Sequence, residues 1–198
     1  TKAGLGFFLV DQTSEGLSSS SVETMDQTRK QSTLKLENCS ALQLGTGDQT
    51  QEYLDFLDLA AVALANEMVG GAQQMLESAV DYAKFRMQFG RAVGSFQAIK
   101  HTCSDTLLEV ELAKSAAYVA AQAAATKDPE LPVLASLAKA AASEAFLHAS
   151  RNCIQIHGGI GFTWDNDTHL WFKRAKSSEV LLGDSSYHRE LMLARMES

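Results

Sequence analysis

The sequence predicts a mainly α fold: an antiparallel four-helix bundle preceded by a few β strands from an incomplete β domain. Three observations carry this. Across the 198 residues the composition changes, from a stretch rich in Ser, Thr, Gln and Gly up to Gly47 to one dominated by Ala, Leu, Val and Met from Tyr53 to Ala125. In the second stretch apolar residues recur at alternating three- and four-residue steps, the period of a helix face. The first stretch holds two strand patterns, too few to form a stable sheet without further partners. Residues 1–50 therefore read as the remnant of a β domain and residues 51–198 as the helical domain.

In chain order, residues 5–11 read as a short apolar strand. Residues 31–37 read as an alternating one, with Leu34 and Leu36 on one face and Thr33, Lys35 and Glu37 on the other. Residues 11–28 form a polar connection, and Gly45–Gln51 a linker into the helices. Leu57, Ala61, Leu64, Met68, Ala72, Met75, Ala79 and Tyr82 mark one face of a long helix. Gly70-Gly71 interrupts it at a cost of roughly 1 kcal/mol per glycine, which predicts a close helix crossing there. Ile99, Cys103, Thr106, Val110, Ala113, Ala117, Ala120 and Ala124 repeat the pattern in a second helix, ended by Lys127–Pro132. A third is expected from about Val133 to Ile156 and a fourth from about Ser177 to Met196. Their alanine faces allow close approach of helices and leave shallow surfaces for neighbouring subunits.

A net charge of −7 with no basic run of five or more residues argues against nucleic acid as a partner. Local phosphate binding by Arg86, Arg91, Lys100 or Lys173 stays open, because total charge says little about one pocket. Cys39, Cys103 and Cys153 are odd in number and widely spaced, as expected of reduced thiols filling a core rather than of a disulfide framework. No apolar stretch approaches the roughly twenty residues of a membrane span. A soluble, cytoplasmic protein without membrane contact is expected. His101, His148, His169 and His188 lack companion ligands at metal-binding spacing, so no metal is expected. Trp164, Trp171 and Phe172 form an aromatic cluster expected to pack under the preceding glycine turn or into a subunit contact.

Two segments carry the chemistry. Residues 151–162 run Arg-Asn-Cys-Ile-Gln-Ile-His-Gly-Gly-Ile-Gly-Phe. Here an apolar helical run stops at three glycines, whose missing Cβ atoms let main-chain N–H groups approach an anion, with Gln155 one turn earlier as an amide donor. Residues 84–90, Lys-Phe-Arg-Met-Gln-Phe-Gly, close the first long helix with a guanidinium, an amide and an aromatic ring, a set suited to a dinucleotide. The plain alternative is that Arg86 serves its own helix C-terminus, Phe89 anchors the core, and the glycines merely cap a helix. His157 sits within the turn, either to reach a phosphate or adenine or to make a local backbone hydrogen bond.

Together these segments resemble the acyl-CoA dehydrogenase family. Its members carry an Arg-x-x-Phe-Gly helix exit and a Gln-x-x-Gly-Gly-x-Gly-Phe turn about seventy residues apart; Arg86 and Gln155 are sixty-nine apart. The resemblance implies that this chain matches the later half of the family's middle β domain and its C-terminal four-helix domain. With Thr1 in the place of an initiator Met, a fragment of a longer chain is expected. The resemblance also implies FAD bound across a subunit boundary by Arg86, Gln88, Phe89, Gln155, His157, Gly158 and Gly159. It further implies an acyl-CoA substrate, a homo- or hetero-oligomer that is a dimer or tetramer, and an electron-transfer flavoprotein as electron acceptor.

The family's reaction needs a carboxylate to take the α-proton of an acyl thioester while hydride leaves the β-carbon for the flavin. Aligned on Lys173–Lys176 and Gly183, the family's Glu falls on Leu182, and the base used by a minority of members falls on Ala60 when counted back from Phe89-Gly90. Neither residue accepts a proton. Asp58, Glu67, Glu179 and Asp184 are nearby carboxylates in sequence, each expected on a solvated face or as a helix cap, with Asp184 the best N-cap. The expectation is therefore an acyl-CoA dehydrogenase-like subunit without its own general base, working beside a competent partner. The Leu-Gly-Asp-Ser-Ser-Tyr-His-Arg-Glu ending also resembles that of bacterial members in mixed tetramers, which implies such an assembly here and, for some of them, action on bulky acyl chains such as steroid side chains. The rival expectation is a structural or regulatory subunit that binds no flavin.

Overall fold

A computed structural model describes residues 4–197, which divide into a unit ending at Leu57 and a unit beginning at Asp58. In the first, β1 (Phe7–Leu9) pairs antiparallel with β4 (Leu42–Leu44), and β2 (Leu17–Val22) with β3 (Gln31–Leu36). The predicted strands at 5–11 and 31–37 thus find their partners within the same unit. β2 lies inside the stretch expected to be a polar connection: its core, Ser18–Ser21, has loop composition, but regular pairing such as Ser19 opposite Leu34 overrides propensity. Asp48 and Gln49 tie the two ends of this unit, Asp48 Oδ1 accepting from Leu5 N (3.0 Å) and Gln49 Oε1 from Phe7 N (3.0 Å). The Thr50 hydroxyl and the Leu5 amide hold the Asp48 carboxyl below its usual range.

The second unit is built on helices: α1 (Thr50–Phe85) from Asp58 onward, α2 (Gln97–Thr126), α3 (Leu131–His157), α4 (Thr168–Val180) and α5 (Ser185–Met196). α1 begins at Thr50, so the end of the expected linker is already helical. Met68, Met75 and Phe146 fill the core among Ala65, Ala72, Ala117, Ala120 and Ala142, all essentially inaccessible. The expected close crossing occurs at Gly71, where a Cβ would stand 2.4 Å from the Phe146 ring. At Gly70 the same atom would meet no described atom within 4 Å. α2 ends on Lys127, left-handed at φ 55°, and Pro132 opens α3, where its missing N–H costs no helical bond.

Two expectations need correction. The fourth helix does not run unbroken from 177 to 196. It is divided at residues 181–184, where Leu182 (φ 63°) and Gly183 (φ 103°) take left-handed backbone angles and Asp184 starts α5 by accepting from Tyr187 N at 2.8 Å. The bundle's fourth position is therefore shared by α4 and α5. Asp58 is neither solvated nor a cap: it is buried and ion-paired with Arg195 at 2.8 Å. Arg195 also donates to Pro132 O (2.7 Å) and Ser136 Oγ (2.9 Å), tying α5 to both α1 and α3.

The two glycines of α1 make opposite predictions. Gly71→Ala presses on a buried ring and is expected to destabilise by roughly 1–3 kcal/mol. Gly70→Ala gains helix propensity without a clash and is expected to stabilise by up to about 1 kcal/mol. Urea unfolding of the two variants beside the parent measures both.

Candidate functional site

The exits of α1 and α3 meet. In the last turns of α1 the Tyr82 ring stacks on His157, with centroids 4.1 Å apart and planes at 22°, and its hydroxyl donates to His157 O at 3.4 Å. His157 is buried beneath the turn. Its Nδ1 lies 2.8 Å from Cys153 O, and since a carbonyl only accepts, that nitrogen carries the proton. Of the two alternatives read from the sequence, the structure shows the local backbone hydrogen bond.

Beyond Tyr82 the chain leaves the helix at Arg86, whose N–H still bonds Tyr82 O (2.9 Å) and whose carbonyl accepts from Val93 N (2.8 Å). Between these points β5 (Met87–Gln88) and β6 (Arg91–Ala92) form a minimal hairpin over Phe89-Gly90. Both loop residues have positive φ, 54° and 77°, as a two-residue type I′ turn requires. For Phe89 that conformation costs on the order of 1–2 kcal/mol. The ring is also 89% exposed, so it is not the core anchor of the plain alternative. Arg86 and Gln88 are exposed as well. Arg91 stacks over Phe96 at 4.0 Å, and Phe96 meets Phe89 edge-on at 6.0 Å.

The three glycines of the α3 exit divide into two kinds. A Cβ on Gly158 or Gly159 would meet no described atom within 4 Å, and both are exposed. Gly158, at φ 66°, turns its N–H back to Gln155 O and Ile154 O. Gly161 is buried, with a Cβ position only 3.1 Å from Ile154 O, and its carbonyl accepts from Thr168 Oγ1 at 3.1 Å. Gly161 therefore packs the turn while Gly158 and Gly159 keep an open backbone surface. Gln155 is exposed one turn before them. Alongside lies a 420 Å³ groove lined by Gln74, Ser78, His157, Trp164, Thr168 and Trp171. The expected aromatic cluster is split across it: Trp171 and Phe172 pack against the core, whereas Trp164 is 73% exposed with Lys173 Nζ 5.2 Å from its ring centroid. Burial pushes the Cys153 thiol up to about 12, so it is a core filler without nucleophilic character.

The α4–α5 turn holds residues that the sequence reading passed over. Lys139 on α3 is fully buried, and its Nζ donates to Ser143 Oγ (3.1 Å), Glu179 O (3.1 Å) and Gly183 O (2.9 Å). Burial pushes it down to about 8, with Glu179 and Asp184 acting in the opposite sense. His188 on α5 donates from Nε2 to Leu182 O at 3.0 Å. The available signal was a lone lysine in the run Ala138-Lys139-Ala140-Ala141-Ala142, on a helix with no other charge at its buried positions. Leu182 is half-buried against the core, and Ala60 lies within α1. Glu67 pairs with Arg174 at 3.0 Å and Glu179 pairs with Lys176. Among the described residues no helix is long and apolar enough to cross a membrane.

The fold and this end of the bundle define a class, a helical C-terminal domain closing on paired helix exits. The description "Acyl-CoA dehydrogenase, C-terminal domain" matches residues 52–197. The chain belongs to the acyl-CoA dehydrogenase family. It is 41% identical over 177 residues to the acyl-CoA dehydrogenase IpdE2 of Mycobacterium tuberculosis, a match covering 89% of this chain and 50% of that protein. Among solved structures, the Tcur3481-Tcur3483 steroid ACAD variant is 31% identical with a TM-score of 0.87 over 97% of this chain and 52% of that one. The ChsE4-ChsE5 complex from Mycobacterium tuberculosis, at 23% identity, shares the fold with a TM-score of 0.86 over 96% of this chain and 52% of that one. The chain thus spans about half the length of the relatives compared here.

A buried lysine depressed to about 8 sets a sign for pH. Between about 8 and the ordinary 10.5 the unfolded chain holds a proton that the folded chain has lost, so stability rises with pH across that window. Relative to Lys139→Met, the parent is expected to gain roughly 3 kcal/mol over that interval. Denaturant unfolding of both proteins at pH 7.5, 9 and 10.5 checks the direction and size, on the order of that figure.

Proposed function

We propose that this chain is the C-terminal part of an FAD-dependent acyl-CoA dehydrogenase, and that it supplies cofactor-binding and oligomer-interface residues while lacking its own general base. The observation that supports this reading is the exposed donor set at the joined exits of α1 and α3. Arg86, Gln88 and Gln155 offer a guanidinium and two amides, Phe89 a solvent-facing ring, and Gly158 and Gly159 an open backbone. Charge, donor chemistry and access fit a dinucleotide lying across that end. Arg86 holds pyrophosphate charge through charge-assisted hydrogen bonds. Gln155 would close over the same anion, with Gly158, whose own N–H is committed to Gln155 O and Ile154 O, and Gly159 leaving the room for it, and with Gln88 and Phe89 beside the cofactor. His157 acts from beneath, keeping the turn in place through Tyr82 and Cys153. FAD, when bound, supplies the hydride-accepting chemistry.

In this reading the acyl-CoA α-proton goes to a carboxylate on another subunit, because Leu182 and Ala60 stand where the family places one. A mixed dimer or tetramer follows, with an electron-transfer flavoprotein as acceptor and the cytoplasm as its setting. The steroid and two-component names of the solved relatives support a bulky acyl thioester and a heteromeric assembly. The second reading, a subunit that binds no flavin and serves assembly or regulation, is favoured by the same leucine at 182. Flavin absorbance of the purified complex, followed by its bleaching with acyl-CoA, separates the two. Turnover by a homo-oligomer of the full-length protein would remove the missing-base element of the proposal.

Arg86→Ala is expected to release FAD from the assembled complex without disturbing helix content, since the side chain is exposed. Flavin-to-protein ratio after gel filtration reads this out, and undiminished flavin counts against the assigned role.

A further inference from the structure

The carbonyls that end α4 are satisfied from outside the helix. Glu179 O and Gly183 O accept from Lys139 on α3, and Leu182 O accepts from His188 on α5. Within the turn itself Leu181 N bonds Ser177 O and Gly183 N bonds Val180 O, both at 3.3 Å. Leu182 is held at φ 63°, where a side chain bearing a Cβ is strained and which an unconstrained Leu leaves. A left-handed leucine persists only where its surroundings over-determine it. Here the surroundings are the core against which Leu182 packs, the Asp184 cap that starts α5, and one ammonium and one imidazole acting on the carbonyls at 179, 182 and 183.

We propose that Lys139 and His188 form a proton-gated cap on α4: with Lys139 charged the 181–184 turn is locked with Leu182 left-handed, and with Lys139 neutral the turn is released.

The ammonium uses all three of its protons, on Ser143 Oγ and the two carbonyls. It also places a cation at the negative end of the α4 dipole. Loss of the proton removes both effects. Two N–H groups remain, neither charge-assisted, and such hydrogen bonds are roughly half as strong. The groups facing this centre are Ser143 on α3, Glu179 on α4, Asp184 at the start of α5, His188 and Arg195 on α5, and Asp58 of α1 against Arg195. Glu179 and Asp184 favour the charged lysine, and burial opposes it more strongly, which brings the transition down to about 8. His188 does not compete in that range. Burial holds it below its ordinary value, Lys139 and Arg195 act in the same sense, and its Nδ1 has no hydrogen-bond partner among the described residues. It stays neutral, with Nε2–H committed to Leu182 O. The consequence for acyl thioester binding rests on the function proposed above; the cap itself does not.

The test uses the intact protein labelled with ¹³C at Lys Cε and at Leu methyls, followed by NMR from pH 6.5 to 9.5. The expected result is that Lys139 Cε and the Leu182 methyls titrate together, with a midpoint about 8, and that in Lys139→Met the Leu182 signals stay at their high-pH position throughout. Two results overturn the cap: a titrating Lys139 beside an invariant Leu182, or a Leu182 titration that survives Lys139→Met. If Lys139→Met does not fold, Ser143→Ala removes one acceptor and is expected to lower both midpoints together; midpoints that separate overturn the cap equally. Because the readout needs neither flavin nor acyl-CoA, a protein that binds no flavin yet shows the coupled titration leaves the cap standing and removes only the function proposed above.

Discussion

A single ammonium group, buried to zero exposure on α3, satisfies carbonyls where α4 stops and α5 starts. Removing such a group from water costs several kcal/mol unless hydrogen bonds replace its hydration. Ser143, Glu179 and Gly183 supply three. Two of those acceptors lie some forty residues along the chain, so the local compensation of one charge is also a long-range contact. It fixes the α4–α5 turn against α3, and α3 in turn carries the glycine exit at its far end. A greasy residue at 139 would fill the space but leave helix-terminal carbonyls facing an interior with no donor.

At that far end the same helix does a different task. His157 hydrogen-bonds back into α3 and stacks on Tyr82, so the exits of two helices share one aromatic contact. Above that contact the backbone splits its glycines between tight packing at 161 and an open surface at 158 and 159. The hairpin at 89–90 adds an exposed ring on a costly backbone conformation. Exposed aromatic area and left-handed geometry at the same residue are unfavourable for a free domain, and the proposed function has the cofactor beside that ring.

Much of the helical architecture was legible because alanine, leucine and methionine keep their period from Leu57 to Tyr82 and from Ile99 to Ala124. The crossing at Gly71 was legible for the same reason, since a paired glycine in such a run has few other uses. The break before α5 was legible only through Asp184, read as an N-cap and found as one; Leu181 and Leu182 continue an apolar pattern, and the donors on the carbonyls at 179, 182 and 183 belong to other elements. β2 was hidden by four consecutive serines, whose strand conformation comes from pairing with β3 rather than from their own preference. Asp58 was misplaced because its partner, Arg195, lies at the other end of the unit, and no local pattern relates them. Arg86 and Gly158 were readable as motifs, whereas the Tyr82–His157 stack that joins them is purely a product of folding.

The tie between Asp58 and Arg195 also bears on quality control in the cell. Arg195 on α5 reaches α1 and α3 at once. A premature stop or a proteolytic clip just upstream would strip that cation from an acidic group in the protein interior. Removal of one member of such a pair costs about 3–5 kcal/mol, a large share of a typical domain's margin. A chain that ends before this arginine would thus fold with an interior carboxylate left without its cation and with most of its stability margin gone.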